Sequence, residues 1–132
     1  VTGKYSDLEV TSDDLSAMII IFKNNVVGEL HLDYFQRPDF KSCKIKGTKS
    51  TLYWDSTTNE VKLFSQKNKS WKSIYKLKNF DNNQMYVDEL KHFFKCIKSN
   101  KKTINDIDDG IKTLRVVLSA KKSSESGKLI II

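Results

Sequence analysis

Apolar and polar residues alternate with a period of two along much of the first 77 residues, which is typical of β-strands with one covered face. The segment 16–22 is different, because nearly every position in it is apolar. Ile19 and Ile21 point to one face of such a strand and Ile20 points to the other, so both faces need cover. The predicted strands are residues 16–22, 26–35, 41–47, 51–54, 61–64 and 71–77.

Short polar segments separate these predicted strands. Asn24-Asn25 is a dipeptide that tolerates the positive φ of a tight turn, and residues 55–59 and 65–70 have turn compositions. Parallel neighbours need a crossover of about a dozen residues or more, which these connections cannot provide. The pattern therefore predicts a largely antiparallel sheet.

Beyond residue 79 the apolar period changes to 3.6, which predicts two amphipathic helices. The first carries its apolar stripe through residues 86–97. For the second we expect Asn105 or Asp106 as N-cap and Gly127 as a left-handed C-cap. The last apolar residues, 129–132, read as a short buried strand.

Strands followed by helices indicate the α+β class. We expect one domain over residues 1–132, with a predominantly antiparallel (mixed) open-faced sheet and both helices packed on one face as a two-layer sandwich. Cover for the other sheet face would then come from a second molecule. The composition, 39% hydrophobic and 30% charged, is ordinary for a globular domain.

The formal net charge of +7 raises the question of nucleic-acid binding. The lysines, however, are scattered through strands, turns and helices, and only Arg37 and Arg115 offer a guanidinium group. Two separated cysteines suggest neither a zinc site nor a disulfide framework, and fit a cytoplasmic protein. No apolar run has the ~18 residues of a membrane helix. We expect no nucleic-acid and no membrane partner.

Several segments resemble the C-terminal domain of the glucose-fructose oxidoreductase and inositol dehydrogenase family. Two of them, in the strand region, are VVGELHLDYFQRP and CKIKGTKSTL. The paired closing helices and last strand of the family are similar to the segment MYVDELKHFFKCIKSNKKTINDIDDGIKTLRVVLSAKKSSESGKLIII. Residues in places typical of these domains are Asp14, Gly28, Tyr34, Gly47 and Leu52.

The resemblance implies a substrate-binding and oligomerisation domain of a longer NAD(P)-dependent sugar or polyol oxidoreductase. In that family a Rossmann domain binds NAD or NADP and carries the catalytic machinery, and the resemblance implies that this chain starts after that part. The resemblance thus implies that the fragment alone is inactive and holds no catalytic, cofactor-binding or metal residue. It also implies a homodimer or homotetramer joined through the open sheet face.

The candidate substrate-binding residues are Tyr34, Gln36 and Arg37. Aromatic, amide and guanidinium groups beside a proline at a strand end can bind hydroxyls and carboxylates of a polar ligand. The resemblance adds that this strand ends near the substrate pocket. A structural alternative is that Tyr34 packs in the core while Arg37 forms a surface ion pair.

Other polar residues favour structural roles. Glu29, His31 and Asp33 share one face of a strand, about 6.6 Å apart in succession, which does not converge easily on one metal ion. His92 lies on the first predicted helix. Asp88 is its acidic partner at ligand spacing, and His92 has no thiol partner at that spacing. Asp13 and Asp14 read as turn carboxylates. A freestanding α+β interaction module, or less favourably a basic nucleic-acid-binding domain, remains an alternative to the oxidoreductase.

Overall fold

The computed structural model describes the whole chain, Val1–Ile132, as seven strands and two helices. The elements are β1 Thr2–Gly3, β2 Leu15–Ile21, β3 Val27–Asp33, β4 Ser42–Lys46, β5 Ser50–Asp55, β6 Glu60–Ser65, β7 Ser70–Lys76, α1 Asn82–Ser99 and α2 Ile107–Ser126. All paired strands are antiparallel. The α+β class predicted from the sequence is confirmed.

The chain divides into two compact units. The first contains Val1–Gln36 and Lys102–Ile132, and the second contains Arg37–Lys101. Each unit has one sheet and one helix: β1, β2, β3 and α2 in the first, and β4 to β7 and α1 in the second.

In the first unit β2 pairs with both β1 and β3. The predicted hairpin after β2 is confirmed, with Asn25 at φ 62° and Phe22 N–H donating to the Val26 carbonyl at 2.9 Å. Helix α2 is attached to β1 through Ser124, whose Oγ accepts from Thr2 N–H at 2.9 Å and donates to the Thr2 carbonyl at 3.2 Å.

The second unit contains a four-stranded meander in the order β4-β5-β6-β7. Asn59 and Lys69 occupy the left-handed region at the two polar turns that the sequence predicted, with φ of 48° and 47°. The pairing of β6 with β7 shifts register between Val61 and Lys62. Outside that irregularity the register assigns each strand residue to one face of the sheet.

Helix ends follow local sequence signals. Asp106, one of the two N-caps that the sequence offered for α2, is the one found, and it accepts from Asp108 N–H at 3.0 Å and Asp109 N–H at 3.2 Å. Gly127 caps the other end at φ 65°, also as predicted. The predicted strand 129–132 is wrong: these residues pair with no strand, and Ile131 is 89% exposed. Apolar character alone does not make a strand where no neighbouring edge accepts its hydrogen bonds.

The two faces of β2 differ in the exposure of their apolar side chains. Met18 and Ile20 of β2 are partly buried, whereas Ile19 and Ile21 on the other face are exposed. In register with that outer face lie Val27 and Glu29 of β3. We call these four exposed residues, Ile19, Ile21, Val27 and Glu29, the outer face of the first unit.

Candidate functional site

The end of β3 is shaped by the side chain of Asp33, which is only 7% exposed. One carboxylate oxygen accepts from the backbone N–H groups of Phe35 at 3.0 Å and Gln36 at 2.5 Å, and the other lies 2.9 Å from His31 Nε2. These bonds turn the chain out of the strand. They explain why β3 ends at Asp33, two residues before the end predicted from alternation.

Asp33 remains ionised in this turn. Burial alone would raise the pKa of its carboxyl, but the hydrogen bonds from Gln36, His31 and Phe35 outweigh burial and lower the pKa. An ionised carboxylate is a stronger acceptor for backbone N–H groups than a neutral one. The negative charge therefore helps to hold the segment that follows β3 in a fixed path.

Tyr34 and Gln36 lie on this turn in the first unit. Tyr34 N–H donates to the Asp14 carbonyl at 3.0 Å, and 58% of the tyrosine is exposed. The alternative that Tyr34 packs in the core is therefore wrong. Gln36 is also exposed. Arg37 begins the second unit, is exposed, and is joined to Pro38 by a cis peptide bond. Substrate binding by these three residues stays a prediction.

Asp14 is the anchor that supports this strand end, and its role was missed in the sequence interpretation. It is the most buried side chain in the chain, at 2% exposure. Its carboxylate accepts from Tyr5 N–H at 2.6 Å, Ser6 N–H at 3.0 Å, Ser6 Oγ at 2.6 Å and Lys4 Nζ at 3.2 Å. Through its backbone carbonyl it also holds Tyr34 N–H.

The environment of Asp14 keeps its charge over the whole ordinary pH range. Burial raises the pKa of this carboxyl, but the bonds from Ser6, Tyr5 and Lys4 lower it far more, so that it lies well below its usual value. The neighbouring Asp13 pairs with Lys121 of α2 at 2.8 Å. The sequence signals for Asp14 were its position directly ahead of an apolar strand and its place among the residues typical of the resembling domains.

The row Glu29, His31 and Asp33 does not form a three-residue site. His31 contacts Asp33, while Glu29 stands opposite Ile19 on the neighbouring strand. Across the whole chain, no group of three or more histidine, cysteine, aspartate or glutamate side chains is arranged to hold a metal ion.

His92 has a thiol neighbour, contrary to the sequence interpretation. Its Nε2 lies 3.6 Å from the Sγ of Cys96, one helical turn further along α1. Side chains at i and i+4 are neighbours on a helix, so the spacing of these two residues in the sequence indicated the pair. Asp88 accepts instead from Gln84 Nε2 at 2.7 Å. Cys96 is 7% exposed, so the pair lies partly inside the second unit.

Neither helix is both long and apolar enough to cross a lipid bilayer.

The comparison with curated proteins and that with solved structures find no match to this chain. The sequence does match one family, described as the oxidoreductase family, C-terminal alpha/beta domain, over residues 2–132. That match spans nearly the whole chain and agrees with the resemblance found in its strand and helix segments. The chain therefore belongs to the oxidoreductase family and corresponds to its C-terminal alpha/beta domain.

Proposed function

We propose that this chain is the substrate-binding and oligomerising domain of an NAD(P)-dependent oxidoreductase that acts on a sugar or polyol. The family match over residues 2–132 carries the proposal. In this account the chain lines part of the substrate pocket and joins subunits, while hydride transfer takes place on a partner domain.

The turn after β3 supports the substrate-binding part of the proposal. Tyr34 offers a phenolic hydroxyl that donates and accepts hydrogen bonds, and Gln36 offers an amide that does both. A polyol presents hydroxyl groups with the same two capacities. The Asp14 carbonyl holds the Tyr34 N–H and the Asp33 carboxylate holds the Gln36 N–H, so the backbone that carries these two side chains has a fixed path before the ligand arrives. Arg37, which belongs to the second unit, is a separate candidate whose guanidinium group offers donors to a hydroxyl or carboxylate oxygen.

The dinucleotide belongs to another domain in this proposal. A Rossmann site needs a glycine-rich turn between a strand and a helix, whose backbone approaches the pyrophosphate. The five glycines here stand far apart, at Gly3, Gly28, Gly47, Gly110 and Gly127. The chain's own residues thus do not fit NAD or NADP, and its contribution is to bind and orient the other substrate.

The outer face of the first unit supports the oligomerising part. Ile19, Ile21 and Val27 form an exposed apolar patch with Glu29 beside it. Apolar area on a sheet face gains free energy when a second apolar surface removes it from water. A two-fold arrangement would place the same patch of a second subunit against it.

Kinetics of site variants in the protein that carries the partner domain test this function. Removing the phenolic hydroxyl in Tyr34→Phe, or the amide in Gln36→Ala, is expected to raise KM for the sugar or polyol about 5- to 10-fold, the loss of roughly one hydrogen bond. Tyr86→Phe is the matched control, since Tyr86 is 62% exposed, close to the 58% of Tyr34, but lies on α1. An unchanged KM in both site variants would contradict the proposal that the end of β3 contacts the substrate.

A further inference from the structure

One face of the sheet in the second unit combines lysines with aromatic rings. The register places Lys44, Tyr53, Lys62 and Ser73 in one row across the four strands, and Lys46, Thr51, Phe64 and Trp71 in the next. We call the six lysine and aromatic residues of these rows the aromatic-lysine face: Lys44, Lys46, Tyr53, Lys62, Phe64 and Trp71. They are spread over 28 positions of sequence, from 44 to 71, and only strand pairing brings them together.

The contacts within this face agree with the register. The ring centroids of Phe64 and Trp71 are 5.4 Å apart, and those of Tyr53 and Trp71 are 6.4 Å apart in an edge-on arrangement. Lys44 Nζ lies 5.5 Å from the centre of the Tyr53 ring. Tyr53 and Phe64 thus support Trp71, which remains 50% exposed at the sheet edge. A half-exposed indole held by two rings is a ready surface for stacking.

The charge on this face is unevenly distributed. Its carboxylates, Asp55 and Glu60, lie together in the row beyond Lys44 and Lys62, and none lies in the row of Lys46 and Trp71. A hydrogen bond from Ser73 and pairing with Lys62 lower the pKa of Glu60, so it neutralises part of the charge of Lys62. The row of Trp71 therefore contains the charge of Lys46, on β4, and no carboxylate.

We propose that the aromatic-lysine face binds single-stranded nucleic acid, with a base stacked on Trp71 and phosphates near Lys44, Lys46 and Lys62. Sheet faces bind single strands in this way: bases stack on aromatic rings, and lysines neutralise the phosphates of the nucleic-acid backbone. The row from Trp71 to Lys46 crosses three strand spacings, about 14 Å, which leaves room for a short segment of strand. The scattering of lysines along the sequence had argued against such a partner, but strand pairing gathers three of them here.

This site is independent of the proposed oxidoreductase function. It lies wholly in the second unit, whereas Tyr34 and Gln36 lie in the first. A failure of either proposal leaves the other standing.

Tryptophan fluorescence distinguishes binding at one face of this sheet from binding at the other. The chain has two tryptophans, and Trp54 lies on the opposite face from Trp71 because it alternates with Tyr53 along β5. In a Trp54→Phe variant only Trp71 emits, and in Trp71→Phe only Trp54 does. Titration with an oligothymidylate is expected to quench the first variant and to leave the second unchanged. Equal quenching of both variants, or none at low salt, would overturn the proposal.

Lysine variants provide a test that does not depend on fluorescence. Single-strand affinity falls with salt at a logarithmic slope of about −0.7 for each phosphate contact, so three lysines give a slope of about −2. Lys46→Gln is expected to reduce the slope by about 0.7. Lys72→Gln is the matched control, since Lys72 lies on the opposite face and pairs with Leu63. An equal change in both variants would show binding to the overall charge and would contradict a defined site.

Heparin distinguishes stacking from simple polyanion binding, because it has charges but no bases. It is expected to compete with the oligothymidylate without quenching Trp71. If heparin quenches Trp71 as strongly as the oligonucleotide does, base stacking on this ring is refuted.

Discussion

Shortening Ile19 to alanine tests the proposed subunit interface quantitatively. The change removes three carbon groups, which contribute about 0.8 kcal/mol each when they leave water. Ile19 is 73% exposed in the single chain, so about 1.8 kcal/mol of association free energy is lost in each subunit if a partner buries that exposed part. A two-fold interface contains the residue twice, which gives about 3.5 kcal/mol and weakens the dimer about 300-fold.

The assay is sedimentation equilibrium over a dilution series of the wild type and the Ile19→Ala variant. Ile131→Ala is the matched control, because it removes the same atoms from an 89% exposed isoleucine of the same unit outside the sheet. The account predicts a large shift for Ile19→Ala and none for the control. A wild-type monomer at micromolar concentration, or equal shifts in both variants, would refute an interface on the outer face.

Four further substitutions test local features by chemical or thermal unfolding. Asp81→Ala removes the N-cap acceptor 2.9 Å from Asn83 N–H, and we expect urea unfolding to show a loss of about 1 kcal/mol. Gly127→Ala forces a side chain into the left-handed region at φ 65° and should also cost about 1 kcal/mol, whereas Gly110→Ala, where the added Cβ meets nothing within 4 Å, should stabilise α2 by about 0.5 to 1 kcal/mol. If both glycine variants change stability in the same direction, the conformational argument fails. The pKa of Asp14 is lowered on folding, so the folded state binds fewer protons; its stabilisation is present above pH ~4 and is lost as the pH falls below that value. Unfolding curves of the wild type and the Asp14→Asn variant should therefore converge below pH ~4, and a constant gap down to pH ~2 would contradict this.

The features that the sequence predicted correctly depend on neighbours along the chain. The turn at Asn25 and the helix caps at Asp106 and Gly127 each involve residues within about five positions, so residue type and spacing suffice to find them. The missed His92–Cys96 pair is local too, at i, i+4, whereas the missed role of Asp14 depends on partners that no local pattern specifies. Asp14 gains its role from Ser6 and from Tyr34, which are distant in sequence.

The aromatic-lysine face shows why register matters. A shift of one residue in the pairing of β5 with β6 would move Phe64 to the opposite side of the sheet from Tyr53. The residues of the aromatic-lysine face would then no longer lie together. The sequence predicts both strands but not which residues stand opposite each other. The same limitation applies to residues 129–132, whose apolar character predicted a strand without specifying a partner edge.

The most direct test of the oxidoreductase proposal is hydride transfer itself. The protein that carries this chain together with its partner domain is incubated with a panel of sugars and polyols and with NAD or NADP, and the reduced nicotinamide is followed by absorbance. The account predicts turnover with at least one sugar or polyol, none by residues 1–132 alone, and a raised KM in Tyr34→Phe. Turnover confined to substrates without hydroxyl groups, or activity of the isolated chain, would contradict it.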